Sequence, residues 1–279
     1  MKLTAGQKRY QQAVGGLRFP ELTDPNLTLL LQKASTVMCF PPVQAYTTRK
    51  GTEVELCTFV VNLLLEKAYE RRDIGITYGG VPSPTETSYH LSALKAEKNA
   101  AAFSEMLRRM ADGAPLELEA SCDASAGNSR DGTAGQNDIH GMLITMGKGM
   151  VHSQSRKIAV GCESSCSAEM YALAQCALRV IYARNIGRAY GVAGTTEPTT
   201  VLTDGESARV VITGEGAAGR SRQDLRRVAN VKARTEERVL SPTFCPDAEM
   251  PSDFLTKWLP KAKKRASLEY ATNAKAWER

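Results

Sequence analysis

The runs LELEASCD (116–123), GMLITMG (141–147) and MVHSQSR (150–156) decide the fold. Each is of strand rather than helix length, either alternating apolar with other residues or running apolar for a few positions, and Gly-rich turns separate them. They predict an antiparallel three-stranded meander. Beyond it the rhythm changes. A long helix begins near Glu169 in SCSAEMYAL (165–173), with Met170, Leu173, Ala174, Ala177, Leu178 and Ile181 as its buried stripe. A fourth strand TTVLTD (199–204), a short helix ESARVVIT (206–213), a basic helix RQDLRRVANVKARTEE (222–237), a fifth strand VLSPTF (239–244) and a last helix MPSDFLTKWL (250–259) follow. Three antiparallel strands and then strand–helix alternation predict an α/β domain, a mixed five-stranded sheet with helices on both faces.

Ahead of this domain, residues 1–80 read as a small, mostly helical unit. NLTLLLQKASTVM (26–38) and EVELCTFVVNLLLEKAYERR (53–72) carry apolar stripes, and GITYGG (75–80) reads as a short strand and turn. The polar, Pro-containing VPSPTETS (81–88) marks a boundary. Residues 81–115 are expected to be a linker with one exposed helix, SALKAEKNAAAFSEMLRRMADG (92–113), and 116–279 the α/β domain with a basic C-terminal tail. Protease is expected to enter first between Val81 and Ser92.

Composition narrows the chemistry. The chain has 279 residues, 42% of them apolar, enough for a proper core. Lys and Arg outnumber Asp and Glu by 36 to 30, a net charge of +6 and a pI near 8.9 that suit a polyanionic partner without demanding one. The seven cysteines are scattered with no C-x-x-C pair, so a disulfide framework is not expected. Cys162 and Cys166 open the long helix and read as packing residues. With only His90, His140 and His152, none at ligand spacing with a Cys pair, a structural zinc site is disfavoured and a Ser-His-Asp or Cys-His centre is hard to build. No phosphate-binding Gly-Lys loop or dinucleotide fingerprint occurs. The opening MKLTAGQKRYQQ lacks the apolar core of a signal peptide, and no run approaches a membrane span, so a cytosolic or nuclear setting is expected.

The candidate site rests on acids at element ends. Asp123 closes the first strand in EASCDASAG, Asp204 the fourth in VLTDGESA, Glu169 lies in the first turn of the long helix, and Asp253 begins the last helix in MPSDFLTKWLP. Each has a bland alternative. An acid at a helix start is favoured by the helix dipole alone, and acids closing strands are common turn residues. If the first and fourth strands are neighbours, however, Asp123 and Asp204 meet, and the crossing helix can present Glu169 to the same spot. Carboxylates clustered without His or Cys need cations, and hard oxygen ligands select Mg²⁺ or Mn²⁺. Two such ions about 4 Å apart could activate water and steady the leaving oxygen of a phosphodiester.

In the order CDASAG, SCSAEMYAL, VLTDGESA and SDFLTKWLP, the chain resembles the ribonuclease H domain at the end of copia-type retrotransposon polyproteins. There an Asp-Ala-Asp run ends the first strand, Ser-Thr-Ala-Glu-Ala-Glu-Tyr opens the first helix, Cys-Asp-Asn-Gln-Ser-Ala follows the fourth strand, and Ala-Asp-Ile-Phe-Thr-Lys-Pro-Leu-Pro lies near the end. FLTKWLP is the most specific match, because metal binding does not require it. The resemblance implies a ribonuclease H-like fold. Its catalytic metal ligands would be Asp123, Glu169, Asp204 and Asp253, holding two Mg²⁺ ions (or Mn²⁺). The implied substrate is an RNA/DNA hybrid whose RNA strand is cut to leave a 3′ hydroxyl and a 5′ phosphate. KRYQQAVGGLRF (8–19), TDPNLTLLLQKAS (23–35) and RRDIGITYGG (71–80) resemble the thumb and connection of the reverse transcriptase in the same polyproteins, whose upstream part is therefore a further expected partner. The likeness covers roughly four fifths of the chain by matching elements.

Three departures matter. There is no Tyr-x-Asp-Asp pair, so the polymerase palm is missing and no DNA synthesis is expected. The stretch Val81 to Pro115 is longer than the family's usual linker, and the basic helix lacks the family's His. Arg156 and Lys157 fall where the family meets the nucleic-acid backbone, and Arg222, Arg226 and Arg227 lie close together on the helical wheel; a solvated face is the plain alternative for both groups. Lys257, Lys261, Lys263, Lys264 and Arg265 read as a frayed basic tail. A non-catalytic nucleic-acid-binding or assembly module derived from a retroelement is the main rival reading. A transposase- or resolvase-like nuclease is the third, and the TDG and FLTKWLP contexts oppose it.

Overall fold

The structure is a computed structural model that describes residues 3–17, 25–35, 38, 41–49, 51–70, 117–125, 138–147, 149–162, 164–190, 196–213 and 222–272. The chain divides into two compact units, Met1–Gly75 and Ile76–Arg279. The expected linker 81–115, its helix and the GITYGG turn lie outside the described residues.

In the first unit, helices α1 (Ala5–Leu17), α2 (Pro25–Ser35) and α3 (Leu56–Glu70) share a core of Tyr10, Val14, Leu27, Leu31, Cys57, Val61 and Leu64. The Tyr10 hydroxyl, buried with its ring, donates to the Ala34 carbonyl at 2.8 Å. One element was not foreseen. Strands β1 (Ala45–Thr47) and β2 (Glu53–Glu55) form an antiparallel hairpin, so EVE opens as strand before α3 begins at Leu56. Its turn is closed by the Gly51 amide on Thr48 O at 2.9 Å, with Gly51 at φ +78°, a conformation glycine adopts freely.

The second unit has the expected sheet. Strands β3 (Leu118–Ser125), β4 (Ile139–Met146) and β5 (Gly149–Lys157) form the antiparallel meander, and β6 (Thr199–Thr203) and β7 (Leu240–Phe244) add in parallel, in the order β5-β4-β3-β6-β7. Helices α4 (Ser165–Tyr190), α5 (Glu206–Thr213) and α6 (Arg222–Glu236) follow as expected. They bury one face of the sheet, where Ala120, Cys122, Met142, Ile144 and Val201 meet Leu173, Cys176, Val180, Ile212 and Val231. Strand alternation sends Leu143 and Met150 to the opposite face, against Phe254, Leu255, Leu268 and Ala271. This sheet order with helices on both faces is ribonuclease H-like.

Three local expectations need correction. On α4, Leu178 is 49% exposed and Ile181 only half-buried; Met170, Leu173, Ala174 and Ala177 are buried as expected, and Ala172, Cys176 and Val180 complete the stripe. MPSDFLTKWL is not one helix. It holds a 3-10 turn, Pro251–Leu255, after a shorter one at Asp247–Glu249. The turn stops at Leu255, and Pro260, whose carbonyl accepts from the Lys264 amide, starts the next helix while keeping Leu259 out of the helical region. The supposed frayed tail is helix α7 (Lys261–Thr272), with Ala266, Leu268 and Ala271 buried against the sheet and Arg265 paired with Glu269 at 3.0 Å.

Candidate active site

The parallel pairing of β3 with β6 ends with Ser121 beside Leu202, so Asp123 and Asp204 each lie two residues past the last pair. Asp204 follows the end of β6, whereas Asp123 does not close β3, which continues to Ser125 along β4. Cys122 points into the core beneath α4, and its neighbour Asp123 turns to the other side of the pleat. There the Thr256 hydroxyl donates to Asp123 Oδ2. Asp253, in the 3-10 turn, is fully buried, and its carbonyl accepts from the Thr256 and Lys257 amides at 3.1 and 3.0 Å. Asp123, Asp204 and Asp253 each offer a carboxylate oxygen, all within 4.8 Å of one another, a group able to hold a divalent cation.

Glu169 stands beside them, but not in the first turn. Helix α4 begins at Ser165 and its first turn contains no acid, so Glu169 lies in the second, where the dipole has weakened. Its Oε1 accepts from the Ala124 amide at 3.2 Å, just past Asp123 on β3. On its other side is Gly205, the residue after Asp204, where a Cβ would come within 2.9 Å of Glu169 Cβ. Only glycine lets the β6–α5 turn close over this side chain.

Four buried carboxylate oxygens here, Asp123 Oδ1, Asp204 Oδ1, Asp253 Oδ1 and Glu169 Oε2, accept no hydrogen bond. Buried acceptors are normally satisfied. Asp123 Oδ1 and Asp253 Oδ1 have only the Lys257 ammonium near them, Asp204 Oδ1 and Glu169 Oε2 have no ion pair among the described residues, and such a set fits a hard divalent cation, Mg²⁺ or Mn²⁺. Burial, with Asp253 and Asp204 nearby, pushes Asp123 up to about 8, against the pull of Lys257. Burial and the charges of Asp123 and Asp204 push Glu169 up to about 9. Asp204 and Asp253 are raised as well, chiefly by burial.

The sequence reading missed the cations that hold this group. Lys257 Nζ lies 2.9 Å from Asp247 Oδ1, 3.2 Å from Asp253 Oδ1 and 3.7 Å from Asp123 Oδ1. Lys263 on α7 pairs with Asp253 and reaches Asp247 Oδ2 at 3.3 Å. Burial works against the Lys257 ammonium, but Asp123, Asp253 and Asp247 together hold its pKa above the ordinary value. The spacing Asp253-x-x-x-Lys257 was the one signal available, a pair within helical reach of each other.

A pH dependence follows for the ion-free protein. Unfolded, Asp123 and Glu169 ionise near their ordinary 3.8 and 4.5; folded, they hold protons up to about 8 and 9. The folded form therefore binds more protons across that interval, and stability is expected to fall as pH rises through it. Lys257 is charged in both states there and does not alter the trend. Melting in chelator at pH 5 and pH 9 checks this: the lower melting temperature is expected at pH 9, partly restored by Mg²⁺, and the reverse order contradicts it.

No family model matches the chain, and no curated protein matches it. Solved structures do. The N-terminal RNase H domain of Rv2228c from Mycobacterium tuberculosis aligns over 56% of this chain and 99% of that one, at 16% identity and a TM-score of 0.39. LC11-RNase H1 in complex with an RNA/DNA hybrid covers 50% of this chain and 93% of its own, at 21% identity and a TM-score of 0.35. The foamy viral protease-reverse transcriptase in complex with an RNA/DNA hybrid covers 80% of this chain and 36% of its own, at 12% identity and a TM-score of 0.32. Overlap at this level carries no argument about the site, which stands on its own geometry.

The basic residues divide. Arg156 and Lys157 are exposed at the end of β5, and Arg226 is exposed on α6. Arg227 turns inward, bonded to Asp224 at 2.8 Å and set over the Tyr171 ring at 4.9 Å, while Ser167 Oγ donates to the same Asp224. Its charge thus ties α6 to α4. The Arg222 side chain lies outside the described residues. His140 is buried edge-on to Tyr171, and burial with Arg156 nearby lowers it to about 4. Burial pushes the Cys162 thiol up, in keeping with a packing role. No helix among the described residues is long and apolar enough to cross a membrane.

Proposed function

We propose that this chain is a ribonuclease H-type endonuclease of copia-type retroelement origin, which hydrolyses the RNA strand of RNA/DNA hybrids in the cytoplasm or nucleus. The observation that carries the reading is the convergence of Asp123, Asp204 and Asp253 within 4.8 Å, with Glu169 against the Ala124 amide beside Asp123 and with buried oxygens of Asp204 and Glu169 that accept no hydrogen bond. These residues would hold Mg²⁺ or Mn²⁺, and the sequence resemblance calls for two ions. When bound, such an ion supplies the positive charge that activates a water and steadies the phosphate. The protein's own part is positional. The Ala124 amide fixes Glu169, Thr256 fixes Asp123, and the 3-10 turn fixes Asp253. Residues 1–80 would be the thumb and connection of a reverse transcriptase, with residues 81–115 as linker.

A non-catalytic nucleic-acid-binding module remains the second reading, favoured by one observation: Lys257 and Lys263 already neutralise part of the acidic group without an ion. A labelled RNA/DNA hybrid incubated with the full chain separates the two. Cleavage that needs Mg²⁺ supports the nuclease, whereas binding without cleavage supports the module.

Hybrid binding should weaken with salt as phosphate contacts release counterions. Changing Arg156 and Lys157 together to Ala should make the slope of log affinity against log salt shallower by roughly 1.5 to 2. A slope unchanged by the double substitution removes these residues from the interface.

A further inference from the structure

We propose that the Lys257 ammonium takes the place of a second divalent ion, so that the carboxylate site binds one metal ion rather than two. The inference rests on the divalent-ion reading of the site and refines it. Lys257 Nζ touches two of the three carboxylates that can hold an ion, Asp253 at 3.2 Å and Asp123 at 3.7 Å, and both are fully buried. The ammonium thus supplies positive charge between two of the carboxylates that would hold an ion.

Lys257 is also held there. Its amide donates to Asp253 O at 3.0 Å, its neighbour Thr256 donates to Asp123, and Asp247 Oδ1 lies 2.9 Å from Nζ. Three points of attachment set the ammonium toward the acids, and its side chain is only 28% exposed. Lys263 differs. It pairs with Asp253 and Asp247, whereas Lys257 is the lysine paired with Asp123, so Lys263 neutralises one side of the group without bridging it.

Charge balance agrees. One divalent ion with the two ammonium groups brings four positive charges to Asp123, Glu169, Asp204, Asp253 and the Asp247 that both lysines also touch, so most of the acidic charge is offset without a second ion. Asp204 and Glu169 have buried oxygens that accept no hydrogen bond and make no lysine ion pair among the described residues, so they remain to hold the single ion with Asp123 and Asp253.

The test is the Mn²⁺ stoichiometry of the full chain, by calorimetry and by electron paramagnetic resonance, for the wild type, Lys257→Met and Lys257→Arg. The wild type and Lys257→Arg are expected to bind one ion, giving the spectrum of isolated Mn²⁺. Lys257→Met is expected to bind two, with the spin coupling of a close pair. Two coupled ions in the wild type would overturn the inference and leave the divalent-ion site intact. A single ion in a Lys257→Met protein that melts cooperatively would overturn it equally. No bound ion in the wild type would overturn the divalent-ion site itself, and this refinement with it. Should Lys257→Met fail to fold, the wild-type count alone decides.

Discussion

Glu169→Gln is expected to lower hybrid cleavage roughly 100-fold or more while hybrid affinity changes less than about threefold. The amide keeps the length of the side chain and can still accept from the Ala124 amide, so the contact at 3.2 Å and the packing against Gly205 survive. What is lost is a carboxylate whose outer oxygen faces the acidic group with no donor of its own. Charge stabilisation by a bound ion amounts to several kcal/mol, and about 1.4 kcal/mol is a tenfold change in rate. Asp204→Asn should act in the same direction. If Glu169 were only a helix-start residue, its dipole contribution would be about 0.3–1 kcal/mol of stability. Cleavage would then persist in the variant. Its position in the second turn, one residue beyond the first, already argues against that role. Rates and affinities at fixed Mg²⁺ for the wild type and both variants check this; equal activity in all three would remove the carboxylates from the mechanism.

Gly141→Ala should damage the same site from beneath. Gly141 faces Asp123 across the β3–β4 pair, and a Cβ there would lie 2.6 Å from Leu255 Cβ and 2.9 Å from Thr256 Cγ2. Neither neighbour yields easily: Leu255 is fully buried, and Thr256 is held by its bond to Asp123. Overpacking of this kind costs about 1–3 kcal/mol. The forced movement carries the 3-10 turn that presents Asp253, so Mn²⁺ affinity should fall along with the melting temperature. A Gly141→Ala protein with wild-type melting and wild-type Mn²⁺ affinity would show that the sheet does not set the position of this turn.

What the sequence made legible was periodicity and punctuation. Strand alternation in LELEASCD gives both the strand and the direction in which Asp123 leaves it, and the acids at element ends become neighbours once β3 and β6 pair. The resemblance gathered the same acids by motif. Features set by tertiary contact were not legible. Nothing local announces that Lys263 turns from a basic run toward Asp253, or that Arg227 turns from a basic face to Asp224 and Tyr171. The run KAKKRASLEY reads as a solvated tail because its charges mask the small apolar residues Ala266, Leu268 and Ala271 that seat α7 on the sheet. MPSDFL has the proline expected at a helix start, but the turn ends at Leu255 with every side chain from Pro251 to Leu255 buried, a tertiary setting that the local sequence does not announce.

The central claim is that Asp123, Asp204 and Asp253, with Glu169 beside them, form a divalent-cation site. Anomalous diffraction from crystals of the full chain grown with Mn²⁺ tests it most directly. The predicted result is a manganese peak bounded by the carboxylates of Asp123, Asp204 and Asp253, absent from Asp204→Asn crystals grown under the same conditions. A wild-type map at saturating Mn²⁺ with no peak among these carboxylates, and Lys257 and Lys263 still paired to Asp253, would contradict it.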